Sequence, residues 1–101
     1  PPFARLTNVV VWGLDAKKVR DAANEIASQA RQEASHRDGW HVLGPAECAR
    51  GRVKDRTRWH VLIKTPTNAD PGPVLSACVS HLGSLAKHVR FAIDLDAYDL
   101  M

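Results

Sequence analysis

Residues 6–30 read LTNVVVWGLDAKKVRDAANEIASQA, a stretch that changes from a strand pattern to a helix pattern. The first part is rich in β-branched side chains and ends at Gly13, which predicts a strand. Asp15 is placed to cap a helix that begins at Ala16 and fades near residues 35–39. The apolar positions of this helix recur at i, i+3, i+4 and i+7 and are Val19, Ala22, Ala23, Ile26, Ala27 and Ala30. Because most of them are small, we expect the helix to pack closely against a sheet.

Two further strands are predicted in the middle of the chain. Residues 40–43 form a short strand that ends at Gly44, and the polar residues 45–53 are interpreted as an exposed loop. Residues 56–64 alternate between apolar and polar side chains, which predicts a half-buried strand. Its buried face carries Trp59, Val61 and Ile63, and its other face carries Arg58, His60, Leu62 and Lys64.

The last third of the chain predicts a helix and a strand. Pro71 and Pro73 suit the first turn of a helix, with Asn68 or Asp70 as its cap, and residues 89–95 alternate as a strand does. The apolar positions of the helix are Leu75, Cys78, Val79, Leu82 and Leu85. The order of elements is therefore β-α-β-β-α-β. This split βαβ pattern predicts a ferredoxin-like α+β fold, with a four-stranded antiparallel sheet and both helices on one face.

Length and composition narrow the class of protein. The 101 residues suit a single domain, and 45% hydrophobic with 25% charged residues is typical of a globular chain. Cys48 and Cys78 form no CxxC pair, which favours neither a zinc site nor a disulfide framework and makes a reducing cytosol the default compartment. No run of 18 apolar residues exists, so we expect no membrane partner. The chain opens at Pro1 without an initiator methionine, and we expect it to be a fragment of a longer protein.

Positive charge is concentrated in one segment. The net charge is +3, and residues 50–58 alone hold five basic residues and one acid, Asp55. The basic residues occupy every second position and are Arg50, Arg52, Lys54, Arg56 and Arg58. In one extended strand their side chains would point the same way and match the repeating phosphates of a nucleic acid. The alternative is a solvated loop whose cations pair with nearby acids.

The sequence contains no signature of catalysis, metal binding or cofactor binding. The five histidines lack HxxxH spacing, and no Walker A, GxSxG or Cys/His pattern occurs. Asp94 and Asp96 would face the same way on a strand, but without a third ligand we interpret them as an acidic strand end. Trp12, Trp40 and Trp59 are candidates for stacking on bases, although Trp59 shares the apolar face of its strand and is predicted to be core.

Four segments resemble the C-terminal domain of primosomal protein N′, the PriA replication-restart DNA helicase family. They are PPF-x-RL at residues 1–6, VLGPAE at 42–47, RGRVKDRTRWHVLIKTP at 50–66 and VRFAIDLDAYDL at 89–100. The corresponding family patterns are YPPF-x-x-L, VLGP-x-P, RGRYRWQLLLK-x-P and VRW-x-IDVDP. The segments occur in the family's order and span essentially the whole chain, so residues 1–101 are expected to be that terminal domain.

The resemblance implies a fold like that of ribosomal small-subunit protein ten and a role in binding forked or branched DNA. It also implies docking on the helicase core of the parent chain, on single-stranded-DNA-binding protein and on other primosome proteins, in the bacterial cytoplasm at replication forks. ATP and zinc would belong to domains upstream, and this domain would have no cofactor. The residues expected to contact DNA are Arg50, Arg52, Lys54, Arg56, Arg58, Lys64, Lys87 and Arg90.

The sequence departs from the family pattern at the places expected to hold the acidic tail of single-stranded-DNA-binding protein. Asn68 and Gly72 stand where some relatives carry an arginine and a glutamine, and Ala97 replaces the proline of the last motif. We therefore expect the basic residues to bind DNA as the resemblance implies, and we do not expect this chain to keep the family's pocket for the acidic tail. Two alternatives remain, namely a protein-interaction domain that binds acidic tails without contacting DNA, and an RNA-binding domain of the ribosomal type.

Overall fold

The four strands form one antiparallel sheet in the order β2-β3-β1-β4. The computed structural model describes the backbone of residues 4–53 and 56–95, and the side chains of residues 4–48 and 56–95. The elements are β1 Ala4–Gly13, α1 Ala16–Ala34, β2 His41–Val53, β3 Arg56–Pro66, α2 Gly72–Ser80, a 3₁₀ helix Gly83–Lys87 and β4 Arg90–Leu95. This βαββαβ arrangement confirms the predicted ferredoxin-like fold.

The core lies between helix α1 and one face of the sheet. The Asp15 side chain accepts hydrogen bonds from the backbone N–H groups of Lys17 and Lys18, at 3.1 and 3.2 Å, and so caps α1 as predicted. All six predicted apolar positions of α1 are buried. All of them except Ala23 belong to one cluster with sheet residues that alternate along β1 and β3, namely Val9, Val11, Val61 and Ile63. Trp40 and Trp59 pack against the edge of this cluster, which confirms the core interpretation of Trp59.

Strand β2 is longer than predicted, and the interpretation of residues 45–53 as a loop is wrong. The strand continues past Gly44 because it accommodates two irregularities in its pairing with β3, one between Leu43 and Ala46 and one between Glu47 and Arg52. Gly44 itself has a φ of 98°, which suits glycine. Polar side chains are tolerated here because β2 is an edge strand, which pairs on one side only.

Helix α2 is shorter than its apolar pattern and begins with a different cap. It ends at Ser80, and the chain continues into the 3₁₀ helix. Leu85 lies in that 3₁₀ helix and Leu82 directly before it, so neither belongs to α2. The N-cap residue is Pro71, which corrects the prediction of Asn68 or Asp70. The Asp70 carboxylate still accepts a hydrogen bond from the Gly72 N–H at 3.0 Å, so it satisfies a donor of the first turn without being the cap.

Candidate nucleic-acid interface

The face of the sheet that points away from the helices carries most of the cations of the central strands. We call it the open face. Successive residues of a strand point to opposite sides of the sheet, so the residues that alternate with the buried ones lie on the open face. On β3 they include Arg58, His60, Leu62 and Lys64. On β1 it holds Leu6, Asn8, Val10 and Trp12. On β4 it holds Arg90, Ala92 and Asp94.

Trp12 lies between two arginines at one end of the open face. The register pairs Trp12 with Arg58 on β3 and with Arg90 on β4. The guanidinium carbon of Arg58 lies 5.7 Å from the centroid of the Trp12 ring, which is within cation–π range. Both arginines are exposed and the tryptophan is half-buried. The ring of Trp12 is therefore flanked by one arginine on each neighbouring strand.

A cleft of about 430 Å³ opens beside this row, and we call it the basic cleft. Its lining residues come from the end of β1, the start of β3 and the connection into β4, and are Trp12, Gly13, Leu14, Arg56, Lys87, His88, Val89 and Arg90. Gly13 allows these segments to approach each other, since a Cβ there would lie 3.0 Å from the His88 carbonyl oxygen and 3.1 Å from Val19 Cγ2.

The cations of the basic cleft have no acidic partner among the residues that the structure describes. Within those residues the ion pairs are Lys17–Asp21, inside α1, and Glu33–Arg37, which joins the last turn of α1 to a residue just beyond the helix. Arg56, Lys87 and Arg90 are exposed, and no acidic residue lines the cleft within the described part of the chain. Their positive charge is therefore available to an anionic ligand.

The predicted row of five basic residues does not lie on a single strand. Arg50 and Arg52 belong to β2, while Arg56 and Arg58 belong to β3, which runs antiparallel to β2. The register pairs Arg52 with Thr57 rather than with either arginine of β3. The side chains of Arg50 and Arg52, and all of Lys54, lie outside the described residues.

The other predicted residues divide into two groups. Lys87 and Arg90 line the basic cleft together with Arg56, although more than 30 residues of sequence separate them from it. Lys64 is exposed on the open face but lies at its opposite end, paired with Leu6 and His41. The structure thus brings together Arg56, Arg58, Lys87 and Arg90.

The sequence names Trp12 as a candidate for stacking on bases but does not separate it from Trp40 and Trp59. Strand alternation from Val11 places Trp12 on the open face, whereas the other two pack against the core. Leu14, at the rim of the cleft, is 70% exposed, which is unusual for a large apolar side chain beside charged ones. Farther along the same face, Asn8 is 9% exposed, and its Oδ1 has no hydrogen-bond partner within the described residues.

Comparison with known proteins identifies the family. The family model described as primosomal protein N C-terminal domain matches residues 1–98. The chain belongs to this family. It is a primosomal replication-restart domain, and the resemblance seen in its four sequence segments is confirmed. Among curated proteins, no sequence matches.

Solved structures that resemble this primosomal domain share its fold at low sequence identity. The de novo designed protein Foldit4 is 12% identical with a TM-score of 0.68, over 91% of this chain and 94% of that one. The de novo designed protein LFR1 1, with a ferredoxin fold, is 10% identical with a TM-score of 0.62, over 97% and 88% of the two chains. A hydantoinase/carbamoylase family amidase from Burkholderia ambifaria is 17% identical with a TM-score of 0.57, over 91% of this chain and 27% of that one. At these identities the likeness shows the fold alone.

The primosomal domain has a second surface feature on its helix side, an apolar groove of about 660 Å³ between α2 and the edge strand β4. Its apolar lining consists of Leu75, Val79, Ile93 and Leu95. Ile93 and Leu95 are 39% and 50% exposed, because α2 is too short to cover the outer half of β4. Gly72 lies at one end of this groove.

The thiols and histidines of the described residues form no metal centre. No group of three or more His, Cys, Asp or Glu side chains in residues 4–48 and 56–95 is placed to hold a metal ion. Burial raises the pKa of the Cys78 thiol to about 11, and partial burial also raises the pKa of Cys48, so neither thiol is activated as a nucleophile. No helix in these residues is both long and apolar enough to span a membrane.

Proposed function

We propose that this primosomal domain binds forked or branched DNA through the open face, with Arg56, Arg58, Lys87 and Arg90 contacting phosphates. The observation that carries the proposal is that three exposed cations, Arg56, Lys87 and Arg90, line one cleft, and that Arg58 lies over the ring of Trp12 in the same cleft. None of the four has an acidic partner among the described residues. Lys64 extends the surface along the same face. Arg50, Arg52 and Lys54 are proposed as further phosphate contacts, because they stand at every second position before Arg56 in the sequence.

Phosphate recognition of this kind suits a DNA junction of any sequence. Arginine guanidinium groups bind phosphate through two parallel hydrogen bonds, and such contacts position a protein without reading bases. Selectivity for a fork would then come from the shape of the junction rather than from its sequence.

The domain acts as a binding module in this proposal, and the chemistry belongs to the rest of the parent protein. An ATP-dependent motor and a zinc module would lie upstream, in the bacterial cytoplasm at replication forks. The proposed DNA contacts would deliver the fork to that motor.

The test is a binding titration with two matched triple variants. R56Q/R58Q/R90Q removes three charges from the open face, and K17Q/K18Q/R20Q removes three charges from α1, on the other side of the sheet. Fluorescence anisotropy with a labelled fork should show a large loss of affinity for the first variant and a small loss for the second. The second variant is the control for net charge, because both variants remove three positive charges. Equal affinities of the two variants would refute the assignment of the open face.

A second function, docking on protein partners, is supported by the apolar groove beside β4. Large exposed apolar side chains that lie together on an edge strand are typical of interaction sites. We propose this groove as the contact with the helicase core of the parent chain. Acidic tails, such as that of single-stranded-DNA-binding protein, would instead be attracted to the basic cleft.

The tail-binding proposal has its own test. Gly72 has no side chain to offer, and its N–H already donates to Asp70, so the groove end does not supply a carboxylate contact. An acidic-tail peptide should therefore compete with DNA for the basic cleft. Saturable binding of the peptide that neither R56Q/R90Q nor excess DNA reduces would contradict this arrangement.

A further inference from the structure

Trp12 differs from the other two tryptophans in having no place in the core. Trp40 and Trp59 pack against the buried cluster on the helix side of the sheet. Trp12 lies on the opposite face, where its neighbours across both strands are the cations Arg58 and Arg90. Packing of the core therefore does not explain why a large aromatic side chain stands at this position.

The basic cleft has the dimensions and the chemistry of a ligand site that combines an aromatic plane with positive charge. Its volume of about 430 Å³ falls in the range of small-ligand pockets, roughly 300–1,000 Å³. Arg56, Lys87 and Arg90 supply positive charge, Trp12 supplies an aromatic surface, and Leu14 supplies an exposed apolar rim. A phosphate ion would use only the first of these features, and an acidic peptide would leave the aromatic and apolar surfaces without a partner.

We propose that the basic cleft holds one unpaired nucleotide of DNA, with its base stacked on Trp12 and its flanking phosphates bound by Arg56, Lys87 and Arg90. This inference rests on the proposed function and deepens it, since it names the part of a fork that the cleft takes. Duplex DNA cannot fill the site in this way because its bases are already paired and stacked. The domain would thus recognise the point where a duplex opens.

Stacking on tryptophan does not depend on base identity, because every base offers an aromatic face. It adds about 1–3 kcal/mol per base by side-chain substitution, which corresponds to about a five- to 150-fold change in affinity. Arg58 lies over one face of the Trp12 ring, 5.7 Å from its centroid, so the base would stack on the other face. The site therefore separates into an aromatic component, which senses an unpaired base, and a cationic component, which senses phosphate.

The experiment compares a short oligothymidylate with an abasic strand of equal length, which keeps every phosphate and lacks the bases. Trp12→Leu should weaken binding of the oligothymidylate by about five- to 150-fold and leave binding of the abasic strand unchanged. Trp12→Phe should restore most of the affinity because it keeps an aromatic face. Trp40→Leu is the matched control, since Trp40 also lies under an arginine, with Arg37 at 5.2 Å, but outside the cleft.

The outcomes separate this inference from the proposed function. If wild-type protein binds both strands and Trp12→Leu leaves both affinities unchanged, the stacking inference is overturned while DNA binding stands. Equal weakening of both strands would also overturn it, because Trp12 would then act only by holding Arg58 for phosphate. If wild-type protein binds neither strand nor a fork, the proposed function itself fails. Thermal unfolding of each variant checks that the fold is intact. If Trp12→Leu unfolds, Trp12→Thr takes its place, because a β-branched residue suits a strand and also lacks an aromatic face.

Discussion

The salt dependence of DNA binding measures how many cations of the open face contact phosphates. Each phosphate that a protein neutralises releases condensed counterions, so the slope of log affinity against log salt is about −0.9 per contact on duplex DNA. Four contacts, from Arg56, Arg58, Lys87 and Arg90, give a slope of about −3.6 on this duplex scale, and about −2.8 on the scale of about −0.7 per contact that applies to unpaired strands. On the duplex scale, affinity should fall about 150-fold between roughly 50 and 200 mM salt.

Removing two of these cations makes the prediction specific to the site. R56Q/R90Q should reduce the magnitude of the slope by about 1.8, so that the same change in salt costs only about 12-fold in affinity if four contacts are made. Contacts from Arg50, Arg52 or Lys54 would steepen both slopes and leave their difference unchanged. The assay is fluorescence anisotropy of a labelled duplex-containing fork over a series of salt concentrations.

The matched control is K17Q/K18Q, which removes the same charge from α1 and should leave the slope at its wild-type value. The reasoning is refuted if R56Q/R90Q keeps the wild-type slope. It is also refuted if the control variant lowers the slope by the same amount, because net charge rather than the basic cleft would then explain the binding.

Three further predictions concern the fold. Ile26→Ala, at a side chain 1% exposed, should lower the free energy of unfolding by about 2–5 kcal/mol in denaturant titrations, and a loss below about 1 kcal/mol would contradict the core assignment. Gly44→Ala should cost about 1–3 kcal/mol because Gly44 has a φ of 98° and a Cβ would lie 3.1 Å from the His60 carbonyl oxygen. Gly83→Ala is its control, with a positive φ but nothing within 4 Å, and should cost less; equal losses would refute the steric argument. For Cys78 the folded-state pKa is raised from 9.0 to about 11, so the unfolded chain loses its proton first and stability falls as pH rises from about 9 to about 11; the stability of wild type minus Cys78→Val should decline over that window, and a flat difference would contradict it.

Much of the fold follows from local patterns in the sequence. The β1–α1 unit is predictable because β-branched residues give way to a strict apolar repeat, with Asp15 between them as a cap. Strand β2 is not, because irregular pairing around Gly44 breaks the period of two on which strand prediction depends. Because residues 45–53 were interpreted as a loop, the pairing of β2 with β3, which places Arg50 and Arg52 on one strand and Arg56 and Arg58 on the next, could not be predicted.

The candidate site is less predictable than the fold because three separate segments build it. The alternation of Arg56 and Arg58 with buried residues is readable along β3. The meeting of Lys87 and Arg90 with Arg56 is not, since it depends on the order of strands in the sheet and on the close approach at Gly13. Single-sequence patterns carry no information on such contacts unless the topology is already known.

The most direct test of the central claim is a titration of the chain against one labelled fork, with unlabelled competitors of equal length. The competitors are the unlabelled fork itself, matched duplex, single-stranded DNA, hairpin RNA and an acidic-tail peptide. We predict tightest competition by the fork, at affinities that weaken as salt is raised. No binding to any DNA at low salt, together with saturable binding of the peptide, would contradict the account and assign the basic cleft to protein partners.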